Sequence, residues 1–125
     1  MEVGDLVLLF HYADRGKEMA LAASSAVTFY MGLREAEREA SKPLLKHMVE
    51  TLARSLSMAR EISKRKATWV DRDYAAALMH VEQAIAYIER GEPDKARGSL
   101  AQAVSSLTSI ASRALQELSE IGVTL

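Results

Sequence analysis

Apolar positions recur at helical spacing over most of this chain. Between residues 70 and 90 the stripe is Tyr74, Leu78, Val81, Ile85 and Ile88, spaced 4, 3, 4 and 3. That spacing puts all five on one side of a helix and leaves a charged back. Residues 93–121 carry Ala96, Leu100, Ala103 with Val104, Leu107, Ile110 with Ala111, Ala114, Leu118 and Ile121. Residues 43–65 carry Leu45, Met48, Leu52, Leu56, Ala59 and Ile62. A further helix is expected within residues 5–40, and its pattern differs. Leu6 to Phe10 is an unbroken apolar run, and Met19 to Leu33 holds no charged residue. A helix without a polar face is either central or shared with another subunit.

The breaks fall between these segments. Gly91 suits a left-handed cap and Pro93 the first turn of the next helix. Ser41-Lys42-Pro43 reads as a second start, with Ser41 or Lys42 as the cap and Pro43 in the first turn. A softer break lies at residues 66–71, where Thr68 and Asp71 have capping-box spacing, or Asp71 is itself the cap. Asp14-Arg15-Gly16 is where the long first helix would kink. No strand pattern or hairpin dipeptide competes. The expectation is an all-α fold, an antiparallel up-and-down bundle of about four helices, the first long and broken near Gly16. Residues 1–125 form one domain, a length that buries a core without staples.

Composition narrows the functions. There is no cysteine, hence no disulfide framework, thiolate nucleophile or thiolate metal site. The first five residues lack the basic stretch of a signal peptide, and the uncharged run from Met19 to Leu33 is short for a membrane span. A cytoplasmic protein without membrane partners is expected. Asn is absent and Gln occurs three times, a thermophile tendency that six Met residues offset.

Net charge is -1, unevenly spread. Residues 1–45 hold 5 basic and 7 acidic side chains, residues 46–72 hold 7 and 3, and residues 73–125 hold 4 and 7. The basic middle makes Arg54, Arg60, Lys64, Arg65, Lys66, Trp69 and Arg72 the candidate nucleic-acid contacts, with cations for phosphates and an indole to stack a base. The competing explanation is that cations complement a helix C-terminus and the indole packs in the core.

Catalysis finds little support. His11, His47 and His80 fall on three predicted helices, and His47-x-x-Glu50 reverses the Glu-x-x-His order of helical di-iron sites without a second copy. An enzymatic or metal-binding bundle would use His47, Glu50 and His80; neither metal nor cofactor is expected. No serine sits in a strand-turn-helix elbow, and no glycine-rich phosphate loop occurs. The run from Arg34 to Glu39 reads as a solvated face.

Residues 74–104 resemble a tetratricopeptide hairpin in the spacing of His80, Ala84, Tyr87, Gly91, Ala96, Leu100 and Ala103. The pattern occurs once, carries histidine where a large aromatic is expected, and cannot build a solenoid alone. In outline the chain is similar to small four-helix families of the HEPN type. It lacks the Arg followed four to six residues later by His that their ribonuclease members carry.

The expected function is a non-enzymatic helical interaction or assembly protein, self-associating or a small subunit of a larger complex. A nucleic-acid-associated subunit and a metal-binding or enzymatic bundle are the alternatives. The first helix carries more apolar surface than one bundle stripe needs. The expected partner is therefore a second copy, most simply a dimer, through Leu9, Phe10, Ala22, Ala26, Val27, Phe29, Tyr30 and Leu33. The competing account makes that helix central, wrapped by the other three.

Overall fold

The computed structural model describes residues 2–66 and 69–123. Among the described residues it is 92% helical, with four helices and no strand. They are α1 (Val3–Met31), α2 (Glu35–Lys66), α3 (Trp69–Glu89) and α4 (Pro93–Glu120). Consecutive helices pack side by side, and α4 closes the ring against α1. Among the described residues neither diagonal pair touches backbone to backbone. This is the up-and-down bundle, and α1 is one corner of a square. The wrapped central helix is therefore excluded.

The core follows a heptad rhythm. On α1 the buried residues are Leu6, Leu9, Ala13, Gly16, Ala20, Ala23, Val27 and Tyr30, alternating by three and four. A 3.5-residue repeat keeps one stripe facing the partners if the helices wind gently in a left-handed supercoil. The middle of the α1 stripe, Ala13, Gly16, Ala20 and Ala23, is small, so neighbouring helices approach closely there and supply the bulk through Leu52, Leu56, Leu100 and Leu107, all fully buried.

Gly16 shows the consequence. The expected break is absent, and α1 runs through it unbroken. A Cβ there would lie 3.3 Å from a methyl of Leu56 on α2 and 3.4 Å from one of Leu107 on α4. The glycine serves close approach on both sides rather than a kink.

The chain reverses at Gly32-Leu33-Arg34, not at Ser41-Lys42-Pro43. Pro43 lies inside α2, where its ring denies Glu39 a backbone partner. The first turns of α2 are held from elsewhere. The Arg34 amide donates to Glu37 Oε1 at 3.1 Å, half of a capping box built without Ser or Thr. Arg38 donates to the Met31 carbonyl, closing the end of α1. Lys42 Nζ donates to the Glu89 carbonyl at 3.1 Å, closing the end of α3. Lys46 pairs with Glu89 at 2.5 Å, which raises the lysine pKa and lowers that of the carboxylate.

The α3–α4 turn matches its sequence. Gly91 has φ +74, its amide bonds the Ile88 carbonyl, and Glu92 N–H reaches the Tyr87 carbonyl at 2.8 Å. These are the two bonds of a Schellman cap, and Pro93 opens α4. Between α2 and α3, Ala67 and Thr68 lie outside the described residues, and with them the proposed Thr68 cap. Asp71 sits in the first turn of α3, where it meets Arg60 at 3.6 Å and accepts from the buried Ser63 hydroxyl at 3.4 Å.

Three stripe assignments shift. On α2 the core residue is Val49, not Met48, which is 36% exposed. Ser63 is buried at the end of that stripe, where Ile62 is only partly buried. On α4, Ile121 lies beyond the helix and is exposed. On α2 the bundle selects the positions that continue the 3.5-residue alternation, whereas Ile121 is lost from the stripe because α4 ends at Glu120. Leu78, Val81, Leu100 and Leu107 share the core, and Ile85 and Val104 pack against it half-buried. Tyr74 is fully buried and crosses the diagonal, its hydroxyl donating to the Leu9 carbonyl. Burial, and to a lesser degree the charge of Tyr12, raises its pKa well above the usual phenol range.

Candidate interaction surface

The residue just before every second core residue points outward between the two helices of a hairpin. On α1 these are Leu8, Arg15, Ala22 and Phe29; on α2 they are Leu44, Thr51 and Met58. On α3 they are Trp69, Ala76 and Gln83, with Arg90 continuing the register just past its end; on α4 they are Lys95, Gln102 and Ser109, with Gln116 seven residues further on. The two hairpins use equivalent positions differently.

On the α3–α4 side the aromatic rings are covered. Arg113 stacks on Trp69 at 4.1 Å, and the indole N–H donates to Glu117 Oε1 at 2.8 Å. Arg90 and Lys95 flank the Tyr87 ring at 5.3 and 5.9 Å. On the α1–α2 side Phe29 is 73%, Leu44 74% and Met58 59% exposed. Ala26, Phe29, Leu33, Leu44 and Met48 line an apolar groove of about 340 Å³ between the helices. At the other end of the hairpin, Leu8 and Ile62 line a second hollow with Asp5 and Arg65. A third, of about 440 Å³, lies along the first turns of α1 among Val7, Leu8 and Phe10.

The self-association candidates therefore divide. Leu9 and Val27 are fully buried in the chain's own core, and Tyr30 nearly so. Phe10, Ala26 and Leu33 are partly buried against it. Ala22 and Phe29 are exposed. Sequence reasoning missed Leu44 and Met58, and it assigned Met48 to the core. A signal was present: Leu44 and Met58 precede stripe residues and are themselves 14 residues apart.

The basic segment is not gathered into one patch. Arg54 donates to Thr51 Oγ1 at 3.2 Å, and lies about 16 Å along α2 from Arg65 at 1.5 Å per residue. Arg60 is engaged by Asp71, and Arg65 donates to the Glu61 carbonyl. Lys64 and Arg72 are exposed, and the side chain of Lys66 lies outside the described residues. One face of Trp69 is taken by Arg113, and Asp73 lines the hollow beside it with Arg72. A base would have to displace that arginine to stack there.

Among the described residues no group of three or more His, Asp or Glu side chains could hold a metal ion. His47 is exposed on α2, whereas His80 on α3 stands 3.4 Å from Gln83. No described helix is long and apolar enough to cross a membrane. No family model, curated protein or solved structure matches the chain.

Proposed function

We propose that this chain is a non-enzymatic helical interaction protein that assembles through the outer face of α1 and α2. One observation carries the reading. At equivalent outward positions the α3–α4 hairpin bears Gln83, Arg90, Lys95, Gln102, Ser109 and Gln116 beside half-buried Trp69 and Ala76, whereas α1–α2 bears exposed Leu8, Phe29, Leu44 and Met58 beside Arg15, Ala22 and Thr51. In the α3–α4 row the exposed positions are all polar, so the bundle does not require the exposed apolar side chains of α1–α2. Exposed apolar surface of this kind marks a contact with another molecule.

Sedimentation equilibrium at micromolar concentration tests it. The expected mass exceeds 13.8 kDa. Leu44→Glu and Phe29→Glu should each return it to the monomer with helical circular dichroism intact, because both side chains are already about three-quarters exposed. Gln102→Glu on the opposite face should leave the assembly unchanged. A wild-type monomer, or an assembly indifferent to Leu44→Glu, overturns the reading.

A further inference from the structure

Resting on that reading, we infer that the occupant of the α1–α2 face is a second copy of this chain, docked antiparallel about a two-fold axis that passes near Thr51. The order of residues along α2 carries this. The outward stripe runs Glu37, Leu44, Thr51, Met58, Arg65, seven residues apart at every step, and all five are exposed. It is an acid, an apolar residue, a small polar residue, an apolar residue and a base. Because the core follows a 3.5-residue repeat, residues seven apart keep the same face. Reversing one copy on another sets Leu44 against Met58, Thr51 against Thr51, and Glu37 against Arg65, each outer pair twice.

Parallel docking about an axis along the bundle would set Glu37 against Glu37 and Arg65 against Arg65. The charges around the stripe have the same polarity. Residues 34–39 hold two basic and three acidic side chains, and residues 60–66 hold four and one. Like charges brought together cost affinity and opposite charges fix register. The antiparallel arrangement also carries exposed Phe29 toward the Leu8 and Ile62 hollow of the other copy. The dimensions suit a dimer. From Glu37 to Arg65 the helix spans about 42 Å, and two helices are about 20 Å wide. The face thus offers on the order of 800 Å², the share of one partner in a standard interface.

The absence of cysteine makes the test direct. Single variants Leu44→Cys, Thr51→Cys and Met58→Cys would be oxidised mildly and run on non-reducing gels. Thr51→Cys alone and an equimolar mixture of Leu44→Cys with Met58→Cys should cross-link to dimers. Leu44→Cys alone should not. Charge reversal gives a second measurement. Arg65→Glu should weaken association by roughly tenfold, from two rim pairs per dimer, and adding Glu37→Lys in the same chain should restore it, with helical circular dichroism checking that α2 survives the loss of its Glu37 cap. Leu44→Cys pairing with itself, or no rescue by the double reversal, overturns the antiparallel dimer. The mass measurement separates the two claims. A monomer removes the interaction reading itself, whereas a dimer with the wrong cross-links removes only the arrangement.

Discussion

The two hairpins of this bundle solve the same packing problem and finish their surfaces in opposite ways. Each buries a heptad stripe, and each presents a row of outward positions along the groove between its helices. The α3–α4 hairpin fills that row mostly with polar residues and covers its rings with Arg113, Arg90 and Lys95. The α1–α2 hairpin leaves Phe29, Leu44 and Met58 largely open to water. Folding by itself accounts for the first arrangement. The second needs something more, since an apolar side chain left in water forgoes about 25 cal/mol for each Å² it could bury. The difference teaches which residues the fold requires and which it merely permits.

If the hairpins differ only at the surface, the cores beneath them should respond alike. Leu56→Ala under the apolar face and Leu107→Ala in α4 should each cost about 2–5 kcal/mol in urea unfolding, since both side chains are fully buried. A loss near zero for either would mean its hairpin is packed differently. Gly16 touches both halves at once. Gly16→Leu should cost about 1–3 kcal/mol or more by overpacking against Leu56 and Leu107, again read in urea. Tolerance there would restore the kink that the continuous helix denies.

Tyr74 ties the hairpins across the diagonal, and Tyr74→Phe should cost about 0.5–1.5 kcal/mol near neutral pH, the net worth of a hydrogen bond. The pH dependence has a definite sign. Burial raises the Tyr74 pKa in the fold, so the unfolded chain releases its proton first, near pH 10. The stabilisation is therefore whole below about pH 10 and declines above it, toward the folded pKa, by about 1.4 kcal/mol per pH unit. The advantage of the native protein over Tyr74→Phe should shrink as pH rises past 10. A constant difference from pH 7 to 11 would place the phenol in water. The smallest effect is the most diagnostic. Leu44→Gln should change the stability of the monomer by no more than about 0.5 kcal/mol, measured where association is negligible, yet weaken self-association at higher concentration. A large loss of stability in the dilute monomer would make Leu44 a core residue and dissolve the contrast between the faces.

Much of the candidate surface was legible in part. Phe29 and Ala22 stand out because the stretch from Met19 to Leu33 holds no charge. Leu44 was hidden because Pro43 suggested a helix start, which made Leu44 a first-turn residue rather than part of an outer stripe. Met48 and Val49 are adjacent and both apolar, and periodicity alone does not say which faces inward. Trp69 and its basic neighbours looked like a binding segment because Arg113 and Glu117, which engage the ring, lie more than 40 residues away.

By itself the sequence determined three amphipathic segments, a fourth helical segment without a polar face, the Gly91–Pro93 turn and the all-helical class. These follow from local spacing and from backbone preferences that hold wherever the segment sits. Tertiary structure alone decided that α1 runs straight through Gly16, because only packing shows that Leu56 and Leu107 crowd that position. It also decided that α2 begins at Glu35. Its cap is a glutamate reaching back to Arg34, and its first turns are held by contacts with the ends of α1 and α3. The contrast between the two hairpin faces belongs to the tertiary structure as well. It depends on which of several apolar neighbours the bundle turns inward, and that choice is made by the helices packed against them.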